Sequence, residues 1–273
     1  MNRRIACVSS CALGALLVSA SGASAEFLFG VEYSGLTDLF DVNQSNGSMT
    51  SIGPTGFDGL GDLTSDPREA SFRVWANRIG TNELVRLNPL TGAVESAVAM
   101  NSEDPIVSLA FDTVTGKLYG NSSVGFGAGF EALYEIDPAT GDTTFIGRIL
   151  FDNVYALAFD QSGTLFGVSD VNNELITIST ASGNGALVAT LQVDFVFDIA
   201  SRPSDDTMFL ADSGTGRLWT LDTGNGNVFD VGPFTGAVQN NVVGLAFGPV
   251  PAPGVVSLGA IFAAGAARRR ARR

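Results

Sequence analysis

Carboxylates are the side chains of this chain that could do chemistry. The 273 residues include no histidine, and both cysteines lie within the first 25 residues. A Ser-His-Asp triad, a cysteine nucleophile and zinc sites of His and Cys are therefore excluded from the rest of the chain. Paired Asp or Glu side chains can still hydrolyse glycosidic bonds. Four aspartates near predicted strand ends are the candidates for such a pair: Asp62, Asp112, Asp160 and Asp198.

A structural role competes with the catalytic one for these aspartates. Asp112 and Asp160 occupy the same position of an internal repeat. An Asp at such a position usually caps a turn through hydrogen bonds to its own stretch of backbone. We therefore interpret the aspartates as turn caps, and we expect no catalytic residue and no cofactor.

Calcium is the one metal for which the chain offers ligands. Asp170, Asn172 and Glu174 place side-chain oxygens at alternate positions, but Leu175 stands where an EF-hand loop needs glycine. We interpret this stretch as a solvated hairpin tip, with calcium binding as the alternative.

The elements that position these residues come from a repeat. Five copies of a nine-residue element begin with Leu and end with Gly, and each joins an alternating apolar strand to a turn. Successive closing glycines are 45, 49, 42 and 43 residues apart, the length of one four-stranded propeller blade. The copies are Leu39–Gly47, Leu84–Gly92, Leu133–Gly141, Leu175–Gly183 and Leu218–Gly226.

The two ends of the repeated body complement each other. Phe27 to Gly30 corresponds to the second strand of a blade, and Asn241 to Gly248 corresponds to a first strand. Pairing them would complete a shared blade and remove an open sheet edge. The sequence therefore predicts an all-β, five-bladed β-propeller over residues 26–249.

The repeat resembles the YVTN and NHL-type propellers, whose repeats also run from an L-Y-x strand to an I-D-x-x-T-G turn. The copy that is most similar to this pattern is Leu133–Gly141. This resemblance implies a fold and no substrate.

Trp75 and Trp219 could stack on sugars, but both fall within strands, and we expect them to pack between blades. The glycine-rich segment Gly125 to Gly129 joins two strands and is predicted to be a long loop.

Residues 1–25 have the pattern of a secretory signal peptide. Two arginines precede an apolar stretch over residues 5–20, and small residues lead to a cleavage site between Ala25 and Glu26. Signal peptidase is then the first processing partner, and the protein is exported. A lipoprotein site at Val8 to Cys11 is the alternative.

Residues 250–273 have three parts in a fixed order. A proline-containing turn precedes an apolar run of 13 residues, which as a helix would span about 20 Å of a hydrocarbon core of about 30 Å. An arginine cluster ends the chain and would resist crossing the membrane. The turn and the start of the cluster comprise Pro251, Ala252, Pro253, Gly254, Arg268, Arg269 and Arg270.

This order resembles the PEP-CTERM sorting signal, with Ala252 where the family motif has Glu. The resemblance implies an exosortase-like processing enzyme, transient inner-membrane contact through the tail, and a final location at the cell surface or outside the cell. A plain membrane anchor is the alternative.

The net charge of the predicted exported part limits the classes of partner that it can bind. Without the two terminal segments, eight Lys and Arg remain against 28 Asp and Glu, a formal charge of −20. Such a surface repels nucleic acid. The sequence thus favours a non-enzymatic binding or interaction module, with extracellular polysaccharide or a surface protein as partner. The alternatives are a carbohydrate-active enzyme with paired carboxylates and a calcium-stabilised adhesion module.

Overall fold

The computed structural model describes residues 26–33, 35–67, 72–123, 131–236 and 241–249. The predicted signal peptide, the sorting tail with its apolar helix and the glycine-rich loop lie outside these residues and stay predictions. Within the described ranges, no helix has both the length and the apolar character needed to cross a membrane.

The described chain forms twenty strands and one short 3-10 helix, Ile79–Thr81. In chain order the strands are β1 (Glu26–Glu32), β2 (Leu36–Val42), β3 (Met49–Asp58), β4 (Leu60–Ser65), β5 (Val74–Arg78), β6 (Glu83–Leu87), β7 (Val94–Ala99), β8 (Ile106–Asp112), β9 (Lys117–Ser122), β10 (Ala132–Ile136), β11 (Thr143–Arg148), β12 (Val154–Phe159), β13 (Leu165–Ser169), β14 (Glu174–Ile178), β15 (Gly185–Thr190), β16 (Val196–Ser201), β17 (Met208–Asp212), β18 (Arg217–Leu221), β19 (Val228–Pro233) and β20 (Val242–Pro249).

These strands form five four-stranded antiparallel sheets, which are the blades. Blade 1 has the order β20-β1-β2-β3, and blades 2 to 5 are β4 to β7, β8 to β11, β12 to β15 and β16 to β19. The first strands β20, β4, β8, β12 and β16 contact one another in a closed ring around the axis. The predicted five-bladed propeller is confirmed.

Closure depends on the pairing of the two ends. β1 and β20 are antiparallel neighbours from Glu26 opposite Pro249 to Glu32 opposite Val242. The shared blade predicted from the sequence is therefore present, and it leaves no open edge between the first and last blades.

Burial decreases from the axis to the rim. All seven residues of β8 are buried, whereas the rim strand β11 has one buried residue. Inner strands are covered on both faces by neighbouring blades, so their sequences are nearly continuous apolar runs.

Five hydrophobic clusters fill the five interfaces between blades. Trp75 stacks on Phe111 across one interface, with ring centroids 5.7 Å apart, and Trp219 packs against another cluster, as predicted.

The closing glycine of every repeat copy adopts a left-handed backbone. The five φ values lie between +73° and +80°, and each glycine N–H donates to the carbonyl four residues earlier. The turn also docks on the preceding blade. A Cβ added at Gly92 would lie 2.2 Å from the Gly53 carbonyl oxygen of β3, and one at Gly141 would lie 2.2 Å from Ala99 O of β7. Glycine is therefore required here for conformation and for contact between blades.

Candidate functional site

The five inner strands align residue by residue. Their fourth residue is always Leu or Ile, whereas their second and third residues differ among the blades. The second residues, from blade 1 to blade 5, are Val243, Gly61, Val107, Tyr155 and Phe197. The third residues in the same order are Gly244, Asp62, Ser108, Ala156 and Asp198.

A cavity of about 430 Å³ lies on the axis at the end where the inner strands begin. The second residue of every inner strand lines it, so all five blades contribute to one site. The remaining lining residues are Tyr33, Asp62, Ile79, Pro105, Ser123 and Phe195.

The lining is asymmetric. Tyr155 and Phe197 project from neighbouring blades with ring centroids 5.7 Å apart, and Phe195 stands edge-on to Phe197 at 4.8 Å. Blade 2 contributes only Gly61 at the equivalent position. The cavity therefore has aromatic side chains on blades 4 and 5 and open space opposite them. Tyr33 adds a fourth aromatic side chain, and it is 51% exposed.

Asp62 and Asp198 meet on the axis beneath this cavity. Their exposed fractions are 1% and 0%. Asp62 Oδ2 accepts a hydrogen bond from the backbone N–H of Leu109 on the next blade, at 2.6 Å. Asp198 Oδ2 accepts from Leu245 N–H, again on the next blade, and its Oδ1 accepts from Ile199 N–H at 2.7 Å. An inner strand has a free edge towards the axis, and these carboxylates satisfy some of its amides.

The two carboxyl groups interact with each other. Burial, followed by the charge of Asp198, raises the pKa of Asp62 well above its usual value. Burial raises the pKa of Asp198 to about 7. Two buried carboxyl groups that interact this closely cannot both ionise at little cost.

This geometry does not match a glycosidase. Carboxylates that hydrolyse glycosides are about 5 to 10 Å apart, which leaves room for the sugar or for water. Asp62 and Asp198 instead perturb each other's pKa, and both are held by backbone amides. Their arrangement suits a structural pair on the axis.

The sequence interpretation of the four aspartates is correct for two and wrong for two. Asp112 Oδ1 accepts from Val114 N–H at 2.8 Å, and Asp160 Oδ1 accepts from Thr164 N–H at 2.7 Å. Both therefore cap turns at the far end of the inner strands, as predicted. Asp62 and Asp198 lie inside β4 and β16 instead, and their carboxylates accept hydrogen bonds from backbone N–H groups of the next blade.

A separate buried carboxylate lies between blades 3 and 4. Glu131 is 2% exposed and accepts from Val154 N–H at 3.0 Å and from Asn121 Nδ2 at 2.7 Å. Burial outweighs these hydrogen bonds and raises the pKa of Glu131 to about 8. A role for this residue was not predicted from the sequence.

The calcium candidates lie in the β13–β14 hairpin. Asp170 follows β13 and donates its N–H to Asn153 O at 2.9 Å, while Glu174 begins β14. Burial raises the pKa of Asp170. Among the described residues, no group of three or more His, Cys, Asp or Glu side chains is placed to hold a metal. Calcium binding by Asp170, Asn172 and Glu174 stays a proposal.

Sequence reasoning missed the aromatic lining. The available signal was the departure of Tyr155 and Phe197 from the small residues found at the same position of the other inner strands. This difference becomes visible only when all five inner strands are aligned with one another.

Comparison with known proteins supports the fold. No family model matches the sequence, and no curated protein matches it. A chain in the crystal structure of a nidogen/laminin complex is similar over 82% of this chain and 98% of that chain, with a TM-score of 0.59 and 10% identity. At this identity the similarity shows a shared fold only, so the resemblances to YVTN and NHL-type propellers and to PEP-CTERM proteins stay predictions.

Proposed function

We propose that this protein is an exported, non-enzymatic interaction module that binds its partner at the axial cavity. The observation that carries the proposal is the aromatic lining of the cavity, which Tyr155 and Phe197 contribute from inner strands and Tyr33 and Phe195 from adjoining loops. Aromatic side chains around a concave site of this size are typical of binding pockets. The neighbouring structure is of a protein complex, which is compatible with an interaction role.

Binding at the cavity is tested with a matched pair of variants of the full-length chain. Phe195 lines the cavity and is 38% exposed, whereas Phe229 lies on the rim strand β19 and is 60% exposed. A screen against extracellular polysaccharides and surface proteins identifies ligands of the wild type. Phe195→Ala should weaken their binding at least about tenfold, and Phe229→Ala should leave it unchanged. Equal effects of the two variants would contradict a cavity site.

Export and sorting form the second part of the proposal. Signal peptidase would cleave between Ala25 and Glu26, and an exosortase-like enzyme would remove the tail that follows Pro251 and ends in the arginine cluster. The protein would then reside at the cell surface or in the extracellular matrix. Intact-mass analysis of the protein from its native host tests both cleavages, since a chain that still ends at Arg273 would refute removal of the tail.

A further inference from the structure

The lining of the axial cavity combines aromatic faces with a buried carboxyl group. We propose that this cavity binds an alkylammonium group, held between the aromatic side chains of blades 4 and 5 and the Asp62–Asp198 pair. The inference depends on the proposed binding role of the cavity and adds the chemical class of the ligand. The group could belong to a free quaternary amine or to a lysine side chain of a partner protein, since both carry a positively charged nitrogen bound to aliphatic carbon.

The aromatic side supplies one half of the recognition. Tyr155, Phe195 and Phe197 form a contiguous set, with centroid separations between 4.8 and 6.5 Å. A cation within about 6 Å of an aromatic centroid is attracted by the negative face of the ring, and the attraction grows when water is excluded. Aliphatic carbons attached to the nitrogen can also pack against these rings.

The aspartate pair supplies the other half. Asp62 lines the cavity and is 1% exposed, and its Oδ1 receives no hydrogen bond from an N–H or hydroxyl group of the described residues. The carboxyl group of Asp198 interacts with that of Asp62. Within the described ranges, the lining contains no Lys or Arg that would pair with these carboxyl groups. A bound ammonium would provide the missing positive partner in an environment of low dielectric.

Other ligand classes fit less well. An anion would meet a negative floor on a domain whose formal charge is −20. A sugar needs several directed hydrogen bonds, whereas seven of the eleven lining residues are glycine, proline, aliphatic or phenylalanine. A cavity of about 430 Å³ is large enough for an ammonium group with several attached carbons.

The test compares a cation with its uncharged isostere on the full-length protein. Choline and the corresponding tert-butyl alcohol have nearly the same shape and differ in charge. Calorimetry should show that choline binds at least about tenfold more tightly, the preference expected from cation–π contacts and a desolvated carboxylate. N-acetyl-lysine methylamide and its norleucine analogue form the second pair. Preference for either cation supports the inference, and the two pairs distinguish a free quaternary amine from a lysine side chain.

Variants assign the preference to the named residues. Asp62→Asn should remove the preference for choline over the alcohol while leaving the affinity for the alcohol unchanged. Phe197→Leu should weaken both ligands, and Phe229→Leu on the rim should affect neither. If Asp62→Asn does not fold, the comparison of isosteres on the wild type still decides the question.

Equal affinity for choline and the alcohol, together with equal affinity for the two amides, would overturn the cation inference while leaving the cavity as an apolar binding site. Absence of binding by all four probes would also overturn it. The proposed interaction role is decided separately, by the partner screen with Phe195→Ala and Phe229→Ala.

Discussion

The two ends of the propeller axis are built from the same five strands, but equivalent residues vary among the blades at one end and are nearly uniform at the other. Where the inner strands begin, the second residues differ among blades and line a cavity of about 430 Å³. Towards the other end, the fourth residue is Leu or Ile in every blade, the fifth is Ala in four blades, and the cavity has about 70 Å³. Similar residues pack uniformly around the ring at the narrow end. The larger cavity lies at the end where the second residues of the inner strands differ.

The largest effect is expected at a position that all five repeats share. Gly92→Ala should lower the free energy of unfolding by about 3 kcal/mol, because its φ is +73° and the added Cβ would strike the Gly53 carbonyl. Gly56 has a φ of +78° with nothing within 4 Å of an added Cβ, so Gly56→Ala should cost about 1 kcal/mol. Denaturant unfolding measures both, and equal losses would mean that docking of the turn on the preceding blade contributes nothing.

The comparison of the two ends is tested directly by truncating one residue at each. Leu157 is 2% exposed and lines the narrow end, so Leu157→Ala should cost about 3 kcal/mol through lost burial and a new void. Tyr155 already faces open space two residues earlier, and Tyr155→Ala should cost about 1 kcal/mol. A larger loss of unfolding free energy for Tyr155→Ala than for Leu157→Ala would show that side-chain packing at the cavity end also stabilises the fold.

Buried carboxyl groups predict how stability depends on pH. The pKa of Glu131 is raised to about 8 and that of Asp198 to about 7, so the folded state binds protons that the unfolded state has released. Their stabilising effect is complete below pH 4 and is lost as the pH rises to about 8. We expect the free energy of unfolding to fall as the pH rises from 5 to 8.

Glu131→Gln separates the two contributions, because it removes the titration of Glu131 and leaves Asp198 unchanged. The slope of stability against pH above 7 should flatten in this variant. An unchanged slope would show that Glu131 titrates alike in the folded and unfolded states.

The smallest effect is expected at the β13–β14 hairpin. If Asp170, Asn172 and Glu174 form a solvated tip, the Tm measured with calcium and with chelator should agree to within about 1 °C. A Tm that rises with calcium, and that loses this rise in Asp170→Asn, would establish the alternative of a calcium-stabilised module.

Local sequence signals predicted the turns well and the axial side chains poorly. Glycine at the end of each repeat copy is required by its backbone conformation, and Asp112 and Asp160 cap turns through residues two to four positions away. Such contacts are visible in a short stretch of sequence. Asp62 and Asp198 belong to copies of the same repeat, but their hydrogen-bond partners are backbone amides 47 residues further along the chain, on the next blade.

The repeat period, the turn residues and the complementary termini are local or repeated features, and they were enough to predict a ring of five similar sheets closed by its own ends. The interaction between Asp62 and Asp198 and the cavity lined by Tyr155 and Phe197 could not be predicted before the fold was known. Ring closure brings together side chains from blades that are far apart in sequence, and no local pattern records which of them meet.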